Sequence, residues 1–131
     1  MMISRYTILI VKYLSTHLWP CLLWTSLILI ACLMPPSGLP KAPFIAGLDK
    51  VVHIILFAIW SFLLTGYTRS TAFVVLLAGF ALGTGIEFLQ EISAMGRSFE
   101  WWDVVADMTG VVLGYLVRVY IIPAWLPETQ K

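Results

Sequence analysis

The sequence predicts an all-α fold: an integral membrane bundle of four transmembrane helices, with the N-terminus and C-terminus both cytoplasmic. Three observations predict it. Hydrophobic residues make up 60% of the 131 positions and charged residues only 11%, against about 25% charged in an ordinary soluble domain. The mean hydropathy is +0.93. The apolar residues gather into four runs that show no strand alternation, and in a bilayer only helices and closed barrels satisfy the backbone. A single domain over 1–131 is expected, with no soluble module beside the spans.

The first run, 18–34, is stopped by Pro35 and Pro36; the second covers 51–67, the third 72–91, and the fourth, 103–122, stops at Pro123. Each is close to the about 17–25 residues that cross a hydrocarbon core. Upstream, residues 1–17 are apolar apart from Arg5, Lys12 and a few polar side chains. They either extend the first helix or lie in the interface as an amphipathic segment. The first run also contains Leu29-Ile30-Ala31-Cys32, which looks like a lipoprotein cleavage box, but a retained helix is expected. Cys21 and Cys32 lie in that same run. On one helix they are roughly 16 Å apart, too far for a disulfide, which needs Cα atoms within about 7 Å.

Orientation follows from the basic residues. With the N-terminus inside, Arg5, Lys12, Arg69, Arg118 and Lys131 are cytoplasmic and Lys41, Lys50 and Arg97 are outside. Tyr13, Trp19, Tyr67, Tyr120 and Trp125 mark one interface, and Trp101 and Trp102 the other. The formal net charge of +1, without clustered Lys and Arg, excludes a nucleic-acid footprint.

Every acidic residue except Glu128 falls at one end of the bundle: Asp49, Glu87, Glu91, Glu100, Asp103 and Asp107. Helical spacing sorts them by face. Asp103, Asp107, Gly110 and Gly114 form one stripe on the fourth helix. Gly79, Gly83 and Glu87 form one on the third, with Gln90 and Glu91 a turn further on. Asp49, His53 and Phe57 form one on the second. Gly79/Gly83 and Gly110/Gly114 are small-xxx-small pairs, which let helix backbones approach closely in lipid. The simplest geometry packs the third and fourth helices on each other through these glycines, with the acids pointing inward above them. An ionisable side chain facing hydrocarbon costs about 2.5–3.5 kcal/mol at the bilayer centre on insertion scales, so Glu87 and Asp107 are expected to share a polar pocket. The pocket is either a ligand site or an ion-paired plug, including Arg97, that fixes the fold. His53 with Glu87 and Asp107 has the donor types of a mixed metal site. No short-spaced His/Cys signature accompanies them, so neither a metal nor a cofactor is expected. His17 is expected to cap a helix or lie in the interface. Thr84, Ser93, Ser98 and Thr109 lack nucleophile-elbow or triad spacing.

Asp49-Lys50-Val51-Val52-His53 with Phe57, then Glu87 and Gln90, then Gly96-Arg97, then Asp103 with Asp107-Met108-Thr109-Gly110 and Gly114, together resemble the VanZ-like family of teicoplanin-resistance-type membrane proteins. The resemblance covers nearly the whole chain. It implies a multi-pass protein of the bacterial inner membrane, and a link to low-level glycopeptide resistance through the family's namesake. It carries the family's polar motif onto Asp49, Lys50, His53, Glu87, Gln90, Arg97, Asp103 and Asp107, the set the helical faces select. Asp107 departs from the pattern, since Asn is the more usual residue there, and adds a potential negative charge.

Two functional expectations follow. In the first, an outward-facing pocket binds a lipid or cell-wall-precursor head group; Lys50 and Arg97 contact phosphate or carboxylate, Arg in bidentate fashion, and the acids orient them. In the second, an intramembrane enzyme acts on a lipid-linked envelope substrate, with His53, Glu87 and Asp107 as candidate catalytic groups. The expected partners are membrane lipids, a lipid-linked cell-wall precursor and further copies of the chain, with no nucleic acid.

Overall fold

A computed structural model describes residues 5–35, 47–68, 71–93 and 98–122. The described residues are helical, with no strand among them. Helix α1 spans Arg5–Thr16, α2 Leu18–Leu33, α3 Leu48–Thr68, α4 Ala72–Ile92 and α5 Trp101–Leu116, and α5 continues as a π-helical turn over Val117–Ile121.

Residues 5–16 do not continue α2 as one straight helix. The α1 axis meets that of α2 at 74°. Pro20 explains the break: a proline ring inside a helix collides with the carbonyl four residues earlier, here that of Thr16, where α1 ends. Pro20 itself sits in the first turn of α2, where a missing N–H costs nothing. The last carbonyls of α1 find side-chain donors instead. Thr16 Oγ1 donates to Lys12 O at 2.8 Å, and His17 Nδ1 donates to Tyr13 O at 2.8 Å. His17 thus caps α1 and is the extended residue preceding α2.

Three helices, α3, α4 and the α5 continuation to Ile121, are long and apolar enough to cross a membrane, and α1 with α2 makes a fourth if the bent pair counts as one span. Only 39%, 28% and 33% of the three long spans is buried inside the bundle. The outward faces carry Phe73, Leu77, Phe80, Ile92 and Leu113, all exposed. Helices apolar on every side need lipid around them. Tyr13, Trp19, Tyr67, Trp101, Trp102 and Tyr120 are likewise exposed, as interface aromatics are; Trp125 lies outside the described residues.

Two helix starts differ from the apolar runs. Helix α3 begins at Leu48, ahead of the expected 51, because Asp49 in its first turn complements the positive helix N-terminus. It is entered through Gly47 at φ +82°, a backbone conformation that suits glycine. Helix α5 begins at Trp101 rather than 103.

The glycine stripes pack differently from the expectation. Gly79 and Gly83 of α4 do face α5, where a Cβ would meet Val111 and Asp107 side chains. Gly110 and Gly114 of α5 instead face α3: a Cβ at Gly110 would run into the Ile54 carbonyl, and one at Gly114 into the backbone of Ala58. Helix α5 is therefore central, backbone-close to α3 and packed by side chains into the glycine groove of α4. The periodicity identifies which residues share a face but not which neighbour meets it. Here α5 turns its glycines toward α3 because its polar groups find partners there: Ser61 Oγ donates to Val111 O at 2.7 Å, and His53 meets Asp107.

Helix α2 covers α3 and α4 through longer side chains. Trp24 Nε1 donates to Leu56 O at 2.9 Å, Trp60 Nε1 to Thr25 Oγ1 at 3.0 Å, and Gln90 Nε2 to Cys32 O at 2.8 Å. Cys21 and Cys32 form no disulfide and lie in the apolar core with Ile28, Phe57, Trp60 and Ile86.

Candidate functional site

The inward acids converge at the end of the bundle where α3 and α5 begin and α4 ends. In the first turn of α3, Lys50 Nζ donates to Asp49 Oδ2 at 2.7 Å, to Glu100 Oε2 at 2.8 Å and to Asp103 Oδ1. One turn deeper, His53 Nδ1 lies 2.8 Å from Asp107 Oδ1. With Asp107 ionised, its carboxylate can only accept, which requires the imidazole proton on Nδ1; Nε2 faces Asp103 Oδ2 at 4.0 Å. From α4, Glu87 is fully buried and accepts the Glu100 backbone N–H through Oε2 at 3.0 Å. Its Oε1 and the Oδ2 of Asp107 are buried and make no hydrogen bond. Asp107 Oδ2 rests against Gly83, where a Cβ would come within 2.7 Å of it; the missing side chain gives the carboxylate its room.

These contacts form two layers. The outer layer is partly exposed and holds one ammonium among three carboxylates. The inner layer is buried and holds His53, Glu87 and Asp107, with Asp103 reaching both. Gln90 is buried beside them, but its amide is turned toward α2 rather than the acids. Arg97, expected in the site, lies outside the described residues.

Glu100 was not singled out among the site residues. It lies just before α5, outside any helical stripe, yet its carboxylate holds Lys50 and its N–H holds Glu87. The segment carrying it is held by aromatic contacts, Phe88 to Phe99 at 5.3 Å between ring centroids and Phe99 edge-on to Trp101 at 4.9 Å.

A cavity of about 850 Å³ opens beside the outer layer, between α2 and α3. Its polar end is lined by Asp49, His53, Gln90, Ser98, Glu100 and Asp103. Its other wall is apolar, from Trp24, Leu27, Ile30, Ala31, Val52 and Leu56.

A family model described as VanZ/LLP1 matches residues 8–122. The chain belongs to the VanZ/LLP1 family. The match runs from α1 to the last described residue, so both layers of the site and the α2 wall of the cavity fall within the VanZ region. Neither a search of curated proteins nor a search of solved structures gave a match. VanZ membership and the apolar helices together make this a multi-pass membrane protein.

Proposed function

We propose that this VanZ-family protein resides in the bacterial cytoplasmic membrane with both termini inside, and that its polar pocket faces outward and binds the head group of a lipid or lipid-linked cell-wall precursor. The observation that carries the reading is the continuity of one cavity from a carboxylate-lined end to a tryptophan and aliphatic wall. That shape matches an amphiphile, with the head group among Asp49, Glu100, Asp103 and Ser98 and the chain along Trp24, Leu27 and Leu56. Its volume suits a ligand, since pockets for small molecules run about 300–1,000 Å³. The acids accept hydrogen bonds from hydroxyl or ammonium donors, and a phosphate would have to draw the Lys50 ammonium away from Asp49, Glu100 and Asp103, which hold it here. Through such a precursor the protein would influence susceptibility to glycopeptides such as teicoplanin.

A second reading, an intramembrane enzyme acting on a lipid-linked substrate, is favoured by the His53–Asp107 pair. A ring nitrogen fixed by a carboxylate leaves the opposite nitrogen free to take a proton.

Lipids retained by protein purified in mild detergent, identified by mass spectrometry, test the first reading. Ala31→Trp adds an indole to the α2 wall of the cavity. Wild type is expected to carry a phospholipid or lipid-linked precursor that Ala31→Trp has lost, while the variant still purifies as a monodisperse, helical protein. Equal lipid content in the two proteins would remove the cavity from the argument. Turnover of labelled envelope lipids by wild type, absent from His53→Asn, would transfer the assignment to the enzyme.

A further inference from the structure

The outer and inner layers differ in what neutralises them. The outer acids Asp49, Glu100 and Asp103 surround the Lys50 ammonium. Among the described residues, no lysine or arginine forms an ion pair with Glu87 or Asp107. Glu87 is fully buried, with one oxygen held by a backbone N–H and the other without a hydrogen bond. A buried carboxylate oxygen left unmatched is costly, and it signals an unfilled coordination role when other donors converge on it. They do here: His53, Glu87 and Asp103 each offer one ligand atom, all within 4.8 Å of one another.

We infer that His53 Nε2, Glu87 and Asp103 Oδ2 bind a divalent transition-metal ion, with Asp107 as the residue that orients His53. The 4.0 Å between His53 Nε2 and Asp103 Oδ2 is wider than the roughly 3.0–3.4 Å between neighbouring ligands about 2.1 Å from one ion, so the side chains would close by about half an ångström on binding. The Nδ1–Asp107 bond is the partnership that metal-binding histidines use to fix the ring and its tautomer. One imidazole with two carboxylates selects Mn²⁺, Fe²⁺ or Zn²⁺ over Mg²⁺ or Ca²⁺, which take oxygen donors. Three protein ligands leave coordination positions open, and His53 and Asp103 also line the cavity. The ion would meet whatever enters there, but its binding does not depend on the cavity's ligand.

The test uses full-length protein in detergent, stripped with chelator and titrated with Mn²⁺ under electron paramagnetic resonance, then with Zn²⁺ under thermal unfolding. Wild type is expected to remove about one Mn²⁺ per chain from the free-ion signal and to melt higher with Zn²⁺. Glu87→Gln and Asp103→Asn should each weaken Mn²⁺ binding more than tenfold, and Asp107→Ala, which removes the acceptor of the His53 ring, about 10–100-fold, the range typical of an orienting partner. A wild-type protein that leaves the Mn²⁺ signal unchanged overturns the site. So does a folded Glu87→Gln protein that binds as tightly as wild type. Because neither readout involves lipid, failure here leaves the head-group reading untouched.

Discussion

Asp107 shows how much one buried side chain decides. One of its oxygens pairs with His53 Nδ1, while the other rests against the bare backbone of Gly83. An asparagine keeps a carbonyl oxygen that accepts from His53. Asp107→Asn is therefore expected to unfold within about 1 kcal/mol of wild type, because the hydrogen bond survives. Asp107→Leu leaves the buried imidazole N–H without an acceptor and should cost about 1–3 kcal/mol. Thermal unfolding in detergent, read by loss of the monodisperse peak, separates the two, and equal losses would show that His53 does not depend on this partner. Most of the site was legible residue by residue. The i, i+4 spacing placed His53 on the stripe of Asp49, and Asp107 on that of Asp103, and those faces meet. Glu100 was not legible, because a residue just outside a helix has no periodicity to betray its direction.

At the level of helices, two kinds of glycine can be told apart. Gly114 lies where any Cβ would strike the backbone of Ala58, whereas a Cβ at Gly85 would meet nothing within 4 Å. Gly114→Ala should push α5 off α3 and destabilise the bundle by about 1–3 kcal/mol, the usual range for overpacking. Gly85→Ala should be neutral or stabilising by up to about 1 kcal/mol through helix propensity. Comparing the two melting temperatures checks the contrast; a Gly85→Ala loss as large as that of Gly114→Ala would contradict the packing. The positions of the helices were readable because long apolar runs end at prolines and polar residues. The break between α1 and α2 was readable only in part. Pro20 forbids a straight helix through Thr16, but the composition of residues 1–17 suits both a span and an interfacial segment. Which helix the glycines of α5 would meet was not readable, since small residues accommodate any close neighbour and only the polar pairs choose among them.

For the molecule as a whole, the acids gather at one end and the cavity opens there. The side of the membrane on which that end lies sets which molecules reach it. Ser98 is exposed at the cavity rim, and the native thiols Cys21 and Cys32 are buried. A Ser98→Cys protein in intact cells should react with a membrane-impermeant maleimide, and wild type should react little. Labelling that requires permeabilised cells would put the pocket in the cytoplasm and redirect the search for its ligand to the inner leaflet.

The shortness of α2 bears on how a guest would arrive. Its 16 residues rise about 24 Å, several ångströms less than a hydrocarbon core of about 30 Å. Either the leaflets pinch inward beside it, or α1, turned aside by Pro20, lies along the head groups and makes up the difference. If the leaflets pinch inward, the surrounding bilayer is most perturbed at the helix whose Trp24, Leu27 and Ile30 wall the cavity. A lipid there would have the shortest sideways journey out of the leaflet and into the protein.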